Sequence, residues 1–231
     1  MKGKDAYQKL EREIIVGVLK PRERLLENDL SARLAISRTL LREVFRRLDA
    51  AGLVSFTPKR GVAVRDFSPQ EIEEVYFVRA LLERAAAPLI LERVTSADLK
   101  ELRRLNGEFT AACSRLDMPA MILTNLAFHR RLVAISGNGF LCELLKLAQT
   151  NTHQVRYIAW VDQRRVAESL QGHENLLRAL AKKDLPGYEA AIIRQMEAGK
   201  RHYQRIFGVG RLEGSSRTPA KQHVADARAV R

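Results

Sequence analysis

LSARLAISRTLLREVFRRLDAAGLVSFTPKRG, residues Leu30 to Gly61, holds two short helical patterns followed by two alternating runs joined at a basic turn. Leu30, Leu34 and Ile36 form a short apolar face, and Ser37 stands as the N-cap of a second helix that extends to Ala51. In that helix Leu41, Val44, Phe45 and Leu48 recur at helical spacing and point to a core. Arg38, Thr39, Arg42, Arg46 and Arg47 occupy the opposite surface, which only Glu43 interrupts. A planar guanidinium binds a guanine edge or a phosphate through two parallel hydrogen bonds, so this face is expected to enter a major groove. Gly52 ends the helix. Leu53 to Thr57 and Val62 to Arg65 then alternate like strands, joined by Pro58-Lys59-Arg60-Gly61. A basic hairpin placed after such a helix is a wing, which would put Lys59 and Arg60 against phosphate or in a minor groove. The expected partner is double-stranded DNA.

Composition agrees. The chain has 231 residues, enough for two domains with cores of their own, and a formal net charge of +13. A sequence pI near 10.2 favours a polyanionic partner through counterion release. No run approaches the roughly 20 apolar residues of a membrane span. The opening MKGKDAYQKL lacks the apolar core of a signal peptide. A cytoplasmic, nucleoid-associated protein without a membrane partner is expected. Cys113 and Cys142 lack metal-site spacing and read as buried free thiols.

The organisation changes at DFSPQEIEEV. Ser68 is a helix N-cap with Pro69 at the first helical position, so a new unit begins there. The division is residues 1–67 for a winged helix-turn-helix, 68–208 for a helical domain and 209–231 for a polar, basic tail expected to be disordered. The helical patterns run over Pro69–Arg93, Ser96–Leu116, Pro119–Ser136, Gly139–Trp160, Asp162–Lys183 and Gly187–Phe207. Short connections between them imply an antiparallel bundle. Pro88 is expected to kink or interrupt the first of these helices.

The inward stripes of the bundle contain residues that do not suit a core. Asn125 and His129 stand four apart among Met121, Ile122, Leu132 and Ile135. His173 shares a stripe with Val166, Leu170, Leu177 and Leu180, and Gln195 shares one with Tyr188, Ile192 and Ile206. Arg79 lies among Ile72, Val75, Tyr76, Leu82 and Ala86, where its charge needs an anion: Glu83, Glu108 or a ligand. Helical bundles build small-molecule sites from inward side chains on facing helices. A buried pocket containing Arg79, Asn125, His129, His173 and Gln195 is therefore expected. No nucleophile motif, phosphate loop or catalytic carboxylate pair stands at recognisable spacing, which argues against an enzyme.

The segment from Tyr7 to Phe67, and SRTLLREVFRRLDAAGLV above all, resembles the winged helix-turn-helix of the GntR family of bacterial transcription regulators. VRALLERAAAPLI, NLAFHRRLVAISGN and SLQGHENLLRALAKKD resemble the FCD ligand-binding domain of its FadR-like subfamily. The resemblance implies DNA contacts at Arg33, Arg38, Thr39, Arg42 and Gly61, with Ser37 and Arg46 on the same surface. It departs from the family at Arg22, which follows Pro21 where glycine is usual, and at Leu40, where many members carry proline. It also implies a homodimer reading a short palindromic operator, as a repressor relieved by a small carboxylate effector. Many FCD domains hold a divalent metal with an aspartate and three histidines, at positions that here carry Asn125, His129, His173 and Gln195. Amides are weak ligands for zinc or nickel. Two alternatives stay open: an acidic effector completes a weak zinc or nickel site with His129 and His173, or the pocket is metal-free and Arg79 pairs with a carboxylate. A constitutive DNA-binding protein with a vestigial pocket is the rival reading of the whole chain.

Overall fold

The computed structural model describes residues 3–57 and 61–208. Helices α1 (Gly3–Ile15), α2 (Glu27–Leu34) and α3 (Arg38–Ala50) precede the antiparallel pair β1 (Val54–Thr57) and β2 (Gly61–Val64). Ala35 adopts a left-handed conformation at φ 52°, which ends α2 and turns the chain. Ser37 then accepts a hydrogen bond from the Leu40 amide and starts α3 at Arg38. The strands register Val54 with Val64 and Thr57 with Gly61, and a bridge from Arg24 to Ala63 adds a third backbone segment to the sheet. Pro58, Lys59 and Arg60 of the expected wing turn, and the tail 209–231, lie outside the described residues.

The rest is helical: α4 (Pro69–Arg93), α5 (Ser96–Ser114), α6 (Met118–Ala134), α7 (Gly139–Asn151), α8 (His153–Ala159), α9 (Gln163–Lys182) and α10 (Leu185–Gly208). The molecule is thus a winged helix-turn-helix followed by an all-helical bundle. Caps explain where the helices begin. Ser68 with Glu71 and Thr95 with Asp98 form reciprocal capping boxes, while Asp117 and Asn138 cap α6 and α7.

Several expectations need correction. The helix expected over Gly139–Trp160 is broken at Thr152, whose backbone (φ −98°, ψ 13°) ends α7 and precedes α8. The Thr152 hydroxyl bonds back to the carbonyls of Ala148 and Gln149, a local competitor to helix continuation. Pro88 does not interrupt α4, which runs unbroken to Arg93 with the proline on its exposed side. α10 begins at Leu185, before the expected Gly187, because the Asp184 carboxylate accepts from the Gly187 amide and closes the first turn around Pro186. Both cysteines are free, but only Cys113 is buried, with burial pushing its thiol up to about 11; Cys142 is half-buried.

Two apolar clusters fill the interior. One joins Leu10, Leu34, Phe45, Leu48 and Leu53 of the winged helix to Phe109, Met121, Ile122, Ala159 and Trp160 of the bundle. The other lies within the bundle, around Ile72, Leu102, Phe128, Leu132, Tyr188 and Ile192, joined by Phe67 just before α4. The winged helix therefore sits on the bundle through a continuous core.

Candidate nucleic-acid interface and internal cavity

Arg38, Thr39, Arg42 and Arg46 are exposed on the face of α3 opposite Leu41, Val44, Phe45 and Leu48, all of which are buried. Arg47, expected on the same outer surface, is exposed, but its guanidinium lies 4.4 Å from the centre of the Tyr7 ring on α1. Ser37, also exposed, serves the α3 cap through its hydroxyl. Two of the candidate contact residues are already paired. Arg42 Nε lies 3.1 and 3.0 Å from the carboxylate oxygens of Glu27, and Arg33 Nη2 lies 2.6 Å from Glu13 Oε2. The Arg42 side chain remains 63% exposed, so water or phosphate can replace its partner at little cost. Gly61 has φ 78°, a left-handed conformation that glycine adopts without strain. Among the described residues no helix is long and apolar enough to cross a membrane.

Inside the bundle, a cavity of about 50 Å³ is lined by Arg79, Asn125, His129 and Gln195 together with Tyr76, Arg156, Trp160, Arg165 and Ser169. His173 does not reach it; it stands behind Asn125, stacked on Phe128 at 4.0 Å. The sequence expectation of a shared site thus meets four residues at the cavity and one supporting them. Gln195 Nε2 lies 3.5 Å from the Ser169 carbonyl, and Arg79 donates from Nε and Nη2 to Glu83 Oε1, each at 3.3 Å. Glu83 is the partner that Arg79 takes; Glu108 pairs with Arg104 instead. Burial pushes the Glu83 carboxyl up, against the lowering effect of Arg79.

The hydrogen bonds of His173 determine its tautomer. Asn106 donates its amide N–H to Glu174 at 2.6 Å, which turns Asn106 Oδ1 toward His173 Nδ1 at 2.9 Å. Nδ1 therefore carries the proton. Burial holds the ring neutral, with its pKa down to about 3, so Nε2 can only accept. Asn125 Oδ1 stands 3.1 Å from Nε2, two acceptors face to face, so the Asn125 amide must turn over to present its NH₂ group to Nε2. This chain of Glu174, Asn106, His173 and Asn125 occupies the lone pair that a metal would need. His129, pushed well below the usual histidine range by burial and by the neighbouring His173, has its Nδ1 buried without a partner. Among the described residues no group of three or more His, Cys, Asp or Glu side chains is placed to hold a metal ion. The donor set of two weak amides, the engaged imidazole of His173 and the imidazole of His129 contains no carboxylate and suits zinc or nickel poorly.

Sequence reasoning passed over Arg156 and Arg165. Arg156 falls on the inward stripe that begins with Leu141, Leu145 and Ala148, so a cation on an apolar stripe was the available signal. Its Nη2 donates to the Gln149 carbonyl, its Nη1 lies 3.4 Å from Thr152 Oγ1, and its Nε is buried without a partner. Burial, with Arg79 nearby, brings its pKa down to about 9. Arg165 pairs with Glu168 at the rim.

α8 connects the cavity to the winged helix. Its Val155, Arg156 and Ala159 line the cavity, while the Tyr157 ring packs on Gly17, where an added Cβ would lie 2.8 Å from the ring. At the junction before α8, Asn151 packs on Gly52 just as closely, at 2.7 Å from such a Cβ. Gly17 and Gly52 both have positive φ, 78° and 71°, in the turns that follow α1 and α3.

Comparison with known proteins gives matches over both halves. The profile of the bacterial regulatory proteins of the gntR family matches residues 2–64, and that of the FCD domain matches residues 74–198. The Nta operon transcriptional regulator of Aminobacter aminovorans is 32% identical over 71% of this chain and 78% of its own length. The HTH-type transcriptional repressor RspR of Escherichia coli is 24% identical over 83% of this chain and 84% of its own. The solved structure of E. coli McbR/YncC superposes with a TM-score of 0.79 at 25% identity, covering 88% of this chain and 98% of that one.

Proposed function

Because the chain belongs to the GntR family of bacterial transcription regulators and carries that family's FCD domain, we propose that it binds a short palindromic operator as a homodimer and that a small carboxylate in the bundle cavity modulates this affinity. The observation that carries the reading is the position of α8, which walls the cavity on one side and packs against the winged helix on the other. A ligand that favours one placement of α8 alters the placement of the paired DNA-binding units. Its effect on operator affinity cannot exceed its differential affinity for the two placements.

Arg38, Thr39, Arg42 and Arg46 are the groove-facing donors in this reading, with Arg33, Ser37 and the wing residues Lys59, Arg60 and Gly61 on phosphate or in the minor groove. Dimerisation has its own support. Phe77, Val78 and Leu81 of α4 and Phe140, Leu144 and Leu147 of α7 are exposed, Phe140 by 89%, on two helices that pack side by side. An apolar patch of this kind suits a two-fold contact with a second copy. The sign of regulation is repression relieved by the ligand, in line with the name of the similar RspR. The pocket works without metal, as the engaged His173 and the amides at positions 125 and 195 favour.

Operator DNA titrated by fluorescence anisotropy, with and without small carboxylic acids, tests the reading. A dissociation constant that rises with one of the acids supports it. A constant that none of them moves would assign the chain to unregulated DNA binding. Sedimentation equilibrium of the Phe140→Glu variant tests the dimer, which the charge should dissociate.

A further inference from the structure

The charges around the cavity do not balance. Arg79 is paired with Glu83 and Arg165 with Glu168. Arg156 has no carboxylate partner among the described residues; its two bonded nitrogens meet neutral oxygens of Gln149 and Thr152. Arg156 is half-buried with its Nε enclosed, and a guanidinium held partly out of water without an anion is costly to a fold. Nothing in the packing of the bundle demands it, since α8 already supplies Val155 and Ala159 to the interior.

The orphaned atoms point to the same place. Arg156 Nε and Arg165 Nε, both N–H donors, and His129 Nδ1 are buried without partners, and all three residues line the one cavity. Native interiors pair nearly all such groups, so three unpaired polar atoms on residues that share one cavity lining single this region out. Size adds a limit. At roughly 10–15 Å³ per water-sized group, a cavity of about 50 Å³ holds about three to five non-hydrogen atoms.

We propose that Arg156 is the principal anion-binding residue of this site and that the site takes a short monocarboxylate, of acetate or propionate size, with no metal between ligand and protein. The proposal rests on the cavity being the effector pocket. One cation lacks a partner, so one negative charge completes the set. A second charge on the ligand would meet no free cation and would face the Glu83 carboxylate behind Arg79. The guanidinium does the work a metal ion does elsewhere: it supplies the fixed positive charge and the directional contacts to the carboxylate oxygens. Inorganic phosphate fits the volume but is a mixture of mono- and dianion at neutral pH and carries hydroxyl donors, which makes it the discriminating competitor.

Isothermal titration of the full-length protein with acetate, propionate, succinate and phosphate, at constant ionic strength and with EDTA, tests this. The monocarboxylates should bind one per protomer despite the chelator, and succinate and phosphate should bind at least about tenfold more weakly. Arg156→Gln should weaken propionate binding at least about tenfold, as expected for losing a charge-assisted contact, and Arg156→Lys should weaken it less. The ligand-free melting temperature of Arg156→Gln should equal or exceed that of the parent, because the removed charge had no partner. A purely structural arginine would lower it. A smaller affinity loss in Arg156→Gln, abolition of binding by EDTA, or tighter binding of phosphate would overturn the proposal. The regulatory reading is separable from it. Binding through Arg156 that leaves operator affinity unchanged sinks the regulatory reading and not the anion site. An operator response that survives Arg156→Gln does the reverse.

Discussion

Arg42 on α3 is held by Glu27 on α2, with Nε 3.0 and 3.1 Å from its two carboxylate oxygens. To reach a base or a phosphate the arginine must leave this carboxylate, so Glu27 competes with DNA for the same guanidinium. Glu27→Gln removes the competitor with little change of shape. Operator affinity should rise about two- to fivefold, the size of a surface ion pair, and its salt dependence should steepen. Unchanged affinity in Glu27→Gln would show that Arg42 works from its paired position.

Arg38 and Arg42 are one helical turn apart on the exposed face of α3. Alanine at either position should weaken operator binding by about 1–3 kcal/mol if it reads a base, and relax sequence preference there. Loss of affinity for all sequences alike would place the residue on phosphate. Competition titrations with point-mutated operators distinguish the two, and intact operator binding in both variants would exclude α3 as the reading element.

How far these sites were legible from sequence depends on the range of the interactions that define them. Ser37, Ser68 and Thr95 act on amides three residues ahead, and their caps are readable from a few letters. Asn125 and His129 announce themselves as polar interruptions of an apolar stripe. The tautomer of His173 does not, because Asn106 is 67 positions away and brought close only by the packing of α5 on α9. The Thr152 break was hidden since Leu145, Leu147, Ala148 and Gln149 before it and Gln154 and Ala159 after it favour helix. Arg156 was masked by its setting: an arginine in a helix is ordinarily solvated, and only the tertiary fold shows that no carboxylate comes to meet it.

The amides at positions 125 and 195 carry the departure from a metal site. Asn125→Asp with Gln195→His should raise zinc affinity by at least about tenfold, since a carboxylate and an imidazole replace weak neutral donors and the bond from Asn125 that holds His173 Nε2 is lost. Zinc titration by calorimetry measures the gain. No gain in the double variant would mean that positions 125, 129, 173 and 195 do not converge on one ion.

Stability should fall on mild acidification. His173 keeps a pKa of about 3 in the fold and His129 lies well below its usual range, while both have ordinary values near 6.5 once unfolded. Below pH 6.5 the unfolded chain therefore binds protons that the native chain refuses. Their contribution is complete above that pH and is lost as pH falls toward 3, by up to roughly 1.4 kcal/mol per pH unit for each histidine. Urea unfolding between pH 7.5 and pH 5 checks the slope. A flat profile would show that the rings protonate within the native fold.

Trp160 is the single tryptophan of the chain, and it occupies an unusual address. It lines the cavity, belongs to the apolar cluster shared with the winged helix, and donates its indole N–H to Ser169 at 2.9 Å. The protein thus carries a built-in optical probe at the seam between its two halves. Its emission wavelength should respond to whatever fills the cavity, and its quenching to any loosening of the seam, so one unlabelled sample can follow both events as they happen and show which comes first.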